Sequence, residues 1–108
     1  MLGRKEKLQS ELKRISKILK TKYNPEKIIL FGSLAANKIS EWSDIDIVII
    51  KKTTQPFFER IKEIILLLKP KVGIDFFVYT PQEFEELKDR AFIKEEVLRK
   101  GKILYAAG

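Results

Sequence analysis

The chain contains no cysteine and no histidine. Without cysteine it can form no disulfide and no thiolate metal site. Without histidine it lacks the commonest general base and the usual zinc ligand. Any catalysis must therefore run on carboxylates, hydroxyls, amines and a hard cation, and oxygen donors suit Mg²⁺ or Mn²⁺. No apolar run approaches the ~20 residues of a membrane-spanning helix. The stretch Met1-Leu2-Gly3-Arg4-Lys5 has no apolar core of the kind a secretory signal needs, so a cytoplasmic location is expected. Repeats, low-complexity tracts and linkers are also missing. Residues 1–108 thus read as one domain with one core.

What is present begins with charge. Lysine and arginine number 22 against 15 acidic residues, a net charge of +7. A basic balance admits nucleic acid, a phosphorylated small molecule or an acidic protein as partner. The lysines are scattered, and Lys51-Lys52 is the only tight pair outside the expected helices. That pattern favours a solvated basic surface, with nucleic acid kept as the lesser alternative.

Periodicity then sets the elements. Leu8, Leu12, Ile15, Ile18 and Leu19 recur at helical spacing within residues 5–22, and Asn24-Pro25 stops the helix. Residues 27–31 form a short buried strand that Gly32 breaks, and Ser33 can cap a short helix through Ala36. Residues 37–42 are a polar loop, and residues 44–50 a second strand. Pro56 suits the first turn of a helix whose face Phe57, Phe58, Ile61, Ile64, Ile65 and Leu68 would line. Residues 72–79 read as a third buried strand. Thr80-Pro81-Gln82-Glu83 is a capping box that opens a helix through Leu87. A last helix spans 91–100, Gly101 ends it, and Ile103-Leu104-Tyr105 is a final short strand. The class is α/β (α+β): a small mixed sheet, with helices mainly on one face and the aspartate-bearing face partly open.

Three aspartates break this apolar pattern. Asp44 and Asp46 sit two apart in Ser43-Asp44-Ile45-Asp46-Ile47-Val48, and Asp75 interrupts Val72-Gly73-Ile74-Asp75-Phe76-Phe77-Val78. Alternation along a strand turns Asp44 and Asp46 to the same face, with Cα atoms roughly 6.5–7 Å apart. Carboxylates so spaced can share one divalent ion or hold two. A carboxylate in an apolar strand is costly unless paired or bound to a cation. The bland readings are a solvated Asp44 at a loop end and a buried ion pair between Asp75 and a lysine. If the third strand lies beside the second, all three carboxylates can meet. Gly32 allows close backbone approach to a phosphate, and Ser33 adds a hydroxyl donor beside the amides of a helix start.

Gly32-Ser33, a spacer, Asp44-Ile45-Asp46 and a later strand aspartate resemble the signature of the DNA polymerase β-like nucleotidyltransferases. The likeness runs over residues 23–105 and includes Pro25-Glu26-Lys27-Ile28-Ile29-Leu30-Phe31-Gly32-Ser33 and Gly101-Lys102-Ile103-Leu104-Tyr105. It is nearest to the minimal nucleotidyltransferases, which are often encoded beside a HEPN-domain partner. The resemblance implies a nucleotidyltransferase fold and transfer of a nucleoside monophosphate, AMP from ATP, to a hydroxyl. It further implies that Asp44, Asp46 and Asp75 are catalytic and hold Mg²⁺, two ions, while Gly32 and Ser33 hold the nucleotide phosphates. The implied acceptor is a tyrosine of a HEPN-type toxin, which makes the chain an antitoxin. A non-catalytic binding module and a nucleic-acid-directed enzyme are the alternatives, and a homo-oligomer stays open. Two departures stand out. The family pattern Gly-Ser-Arg-Ala-Arg-Gly is here Gly32-Ser33-Leu34-Ala35-Ala36-Asn37, without either arginine. Nor is any length left over for the acceptor-binding helical domain of larger relatives, so a second chain or a small acceptor is expected.

Overall fold

The computed structural model describes residues 3–107; Met1, Leu2 and Gly108 lie outside the described residues. Helix α1, Arg4–Ile18, is carried on by a π-helical turn, Leu19–Tyr23, and ends at Asn24 in the left-handed conformation. Strand β1 is Lys27–Phe31, α2 is Gly32–Ala35 and β2 is Ile45–Ile50. They are followed by α3, Phe57–Leu68, β3, Ile74–Tyr79, and α4, Pro81–Leu87. A π-helical segment, Ile93–Arg99, and β4, Lys102–Ala106, complete the order.

The sheet runs β3-β2-β1-β4. β1 is antiparallel to both β2 and β4, whereas β2 and β3 are parallel and need the α3 crossover between them. The architecture is a mixed four-stranded sheet with helices, as expected. One face packs Ile28, Leu30, Ile47, Ile49 and Val78 against Leu8, Ile15 and Leu19 of the first helix and Ile64 and Leu68 of α3. The opposite face sets Ile29, Phe31, Val48 and Ile50 under Ile93 and Val97, with Phe77, Tyr79, Phe84 and Leu87 alongside. The longer helices thus cover one face. The two shorter helical segments cover part of the other, which is also the face that bears Asp46.

Four local readings need correction. β3 is an edge strand, and of its six residues only Val78 is fully buried, because no strand covers its outer side. Ser33 lies inside α2 rather than at its cap. Phe31 takes that position, and no side chain caps the helix. Pro56 is likewise the cap of α3 rather than its first helical residue. On α3 the buried stripe is Arg60, Ile64 and Leu68, while Phe58 is 75% and Ile65 48% exposed. The Arg60 guanidinium is consumed by the Val78 and Gln55 carbonyls and by Glu83, so a charged side chain can occupy an inward position there. The capping box at Thr80 and Glu83 forms as the sequence indicates.

Candidate active site

The site is built where β1 ends. Phe31 of β1 pairs with Asp46 of β2, and Asp46 pairs on its other side with Asp75 of β3. In-register residues on neighbouring strands point to the same face, with strands ~4.8 Å apart. The Asp46 and Asp75 carboxylates are therefore neighbours by construction. Gly32 follows Phe31 with φ +74, and a Cβ on it would fall 2.2 Å from Asp46 Oδ2. Only glycine tolerates both that backbone and that proximity. The turn from β1 to α2 is thereby pressed against the Asp46 carboxylate.

Asp44 sits one residue before β2 and is held differently. Arg4 Nη2 donates to its Oδ1 at 3.3 Å, and Gly73 backs it so closely that a Cβ there would lie 2.3 Å from the same oxygen. Continuing the β2–β3 register by one residue places Gly73 opposite Asp44, and Ile45 N donates to the Gly73 carbonyl at 3.0 Å. Two glycines, 32 and 73, thus clear space beside two of the aspartates.

Electrostatics follow from this crowding. Burial, the negative charge and hydrogen bond of Asp75, and the charge of Asp44 push the Asp46 carboxyl up to about 6. Among the described residues neither Asp46 nor Asp75 takes part in an ion pair, so the alternative reading of Asp75, a buried ion pair with a lysine, is not met. Such a partner is not needed, because Asp75 is exposed near the start of an edge strand. Among the described residues no group of three or more acidic side chains is already set to hold a metal ion. Asp46 and Asp75 pair, while Asp44 is engaged by Arg4. The donor set nonetheless fits a hard divalent cation. It is all oxygen, and a positive ion would favour the charged form of Asp46 that burial and the neighbouring carboxylates disfavour.

Two of the departures noted in the glycine-serine turn have a structural account, at Leu34 and Asn37; the exposed Ala36 has none. Leu34 is buried in the core beneath α2, so this position directs its side chain inward. Asn37 adopts φ 57, the left-handed conformation that asparagine tolerates and that closes the turn after α2.

Arg4 and Gly73 escaped sequence reasoning. Arg4 had no signal, being one cation among many. Gly73 had one: it lies two residues before Asp75, as Asp44 lies two before Asp46.

Comparison with known proteins gives the family. The family described as nucleotidyltransferase domain matches residues 12–96. Two relatives from Methanocaldococcus jannaschii, each named "Putative protein adenylyltransferase", are similar along most of the chain. One is 33% identical over 97 residues, covering 85% of this chain and 97% of the relative. The other is 35% identical over 101 residues, covering 90% and 97%. A crystal structure from Sulfolobus solfataricus, described as "a putative nucleotidyltransferase", shares the fold with a TM-score of 0.66 at 19% identity, covering 94% of this chain and 83% of that one. With a family match over most of its length and relatives above 30% identity, the chain belongs to the nucleotidyltransferase domain family.

Proposed function

We propose that this nucleotidyltransferase moves AMP from ATP to a hydroxyl of a second protein with Mg²⁺ as cofactor. We further propose that the acceptor is a tyrosine of a HEPN-type toxin, which the chain silences as an antitoxin. The observation that carries the transfer is the pairing of Asp46 with Asp75 under Gly32, two carboxylates with no ion-pair partner among the described residues. The names of the two M. jannaschii relatives support a protein acceptor. The HEPN partner rests on the resemblance to the minimal nucleotidyltransferases.

In this reading Asp44 and Asp46 hold the cation, with Asp75 as a third carboxylate. Held there, Mg²⁺ would supply positive charge to offset the triphosphate and to acidify the acceptor hydroxyl. Gly32 lets the turn approach the phosphates, and Ser33 and the first amides of α2 donate to their oxygens. Asp75, the exposed member, accepts the proton of the hydroxyl. The hydroxyl oxygen bonds to the α-phosphorus as the bond to the bridging oxygen breaks. Pyrophosphate leaves with that electron pair.

The test is incubation of the chain with ATP labelled on the α-phosphate, Mg²⁺ and a co-expressed HEPN-type protein. Label should appear on a tyrosine of the partner with the wild-type chain and vanish with Asp46→Asn. Partner inhibition without label, by both chains alike, would leave a binding module in place of an enzyme. The net charge of +7 is what favours a nucleic-acid acceptor, and salt-dependent RNA binding with label on RNA would establish that instead.

A further inference from the structure

Asp44 precedes β2 rather than lying within it, so its position depends on what grips the chain just before the strand. The grip comes from the far end of the sequence. Arg4, the first residue of α1, donates Nε to the Ser43 carbonyl at 3.0 Å and Nη2 to the same oxygen at 2.7 Å. The contact from Nη2 to Asp44 Oδ1 is longer, 3.3 Å, and its partners are 29% and 44% exposed, so the ion pair itself contributes little. The two short, charge-assisted bonds fall on the backbone that carries Asp44. Ser43 is buried, and its hydroxyl accepts from Ser40 N at 2.8 Å, which ties the preceding loop to the same point. Gly73 closes the other side.

We infer that Arg4 is a positioning residue: from the first turn of α1 it holds the peptide between Ser43 and Asp44 and so aims the Asp44 carboxylate. The inference rests on the proposed function in one respect, that Asp44 is a ligand of the divalent cation. A cation on Asp44 would compete only with the long contact, and the two bonds to the Ser43 carbonyl do not depend on that carboxylate. Supports of this kind behind a metal ligand are worth about 10- to 100-fold in affinity. A guanidinium acting only as a rival cation for Asp44 would have the opposite effect, and its removal would tighten metal binding.

The test is Mn²⁺ titration of the intact chain without nucleotide, followed by the paramagnetic resonance of free Mn²⁺, for wild type, Arg4→Met and Arg4→Lys. Trp42, the single tryptophan, is 83% exposed, and its backbone N donates to Ser40 Oγ at 3.2 Å, so its fluorescence anisotropy reports on the loop before Asp44. Arg4→Met should weaken Mn²⁺ binding about tenfold and lower the Trp42 anisotropy. Arg4→Lys, which retains one donor for the carbonyl, should restore part of both. Should the methionine variant fail to fold, the lysine variant decides alone, with weaker binding than wild type as the supporting result. Binding as tight as wild type, or tighter, overturns the inference. A wild-type chain that binds Mn²⁺ with this dependence on Arg4 but labels no acceptor loses the proposed transfer and keeps the positioning role. A wild-type chain that takes up no Mn²⁺ loses both.

Discussion

At the residue scale, the sharpest constraint is on Gly32. Its φ of +74 lies where a side chain costs about 1–2 kcal/mol, and a Cβ would collide with the Asp46 carboxylate. Gly32→Ala is therefore expected to lower unfolding stability by at least that amount and to abolish transfer; urea unfolding and the labelling assay check the two effects separately. Asp46→Asn should behave oppositely on stability. Removing one of several crowded negative charges relieves repulsion, so the metal-free variant should unfold at or above the wild-type midpoint while losing Mg²⁺-dependent ATP binding. A clear drop in its thermal midpoint would mean that Asp46 is structural. Tyr23 offers a third case. Its ring is buried, its hydroxyl has no hydrogen-bond partner among the described residues, and burial pushes it up to about 12. Tyr23→Phe removes an unsatisfied polar atom and should stabilise the chain by about 1 kcal/mol in urea unfolding.

At the element scale, legibility tracked how local the cause was. The capping box of α4 was visible because Thr80, Pro81 and Glu83 act within one turn. β1 was legible over its whole length because Gly32 ends it by its own conformation. The apolar run of β3 was legible as a strand, but its edge position was not, since six apolar-rich residues look alike with one neighbouring strand or two. The buried face of α3 was misjudged for a related reason. The expected face held only apolar residues and left out Arg60, yet the Val78 carbonyl and the carboxylate of Glu83 wait for it across the α3–β3–α4 junction. Glu83 also accepts from Thr80 N, so Glu83→Ala removes both a cap bond and the partner of a buried guanidinium. The expected loss is about 2 kcal/mol in urea unfolding, with Glu83→Gln losing less because it keeps the cap.

At the scale of the whole molecule, two carboxylates tie distant parts together. Glu11 on α1 accepts from Arg14 and from the Lys71 backbone N, and its hydrogen bond with Arg14 holds its carboxyl below the ordinary value. The hydrogen bond from Arg60 does the same for Glu83. A depressed folded value means that the unfolded chain binds protons first. The contribution of each group is complete above the unfolded carboxylate range, about 4.3, and disappears as pH falls through the depressed folded value. Stability should therefore be nearly flat from pH 7 to 5 with respect to these groups and fall below about pH 4. The double variant Glu11→Gln, Glu83→Gln should show a shallower acid limb in urea unfolding, and an unchanged limb would mean that other carboxylates dominate. The net charge of +7 grows on acidification and steepens the fall in both proteins, a little less in the double variant, which has two fewer carboxylates to protonate.

The amino-acid sequence by itself determined the local facts: which segments are helix or strand, that Asp44 and Asp46 share a spacing suited to joint action, and that only oxygen donors were available. Hydrophobic periodicity reports which way a side chain faces, and composition reports what chemistry it can do. Neither reports which strand lies alongside which, because β2 and β3 meet only after α3 has carried the chain across the sheet. The tertiary structure alone decided that Asp75 stands beside Asp46, that Gly73 lies behind Asp44, and that Arg4 reaches Ser43 from the other end of the chain.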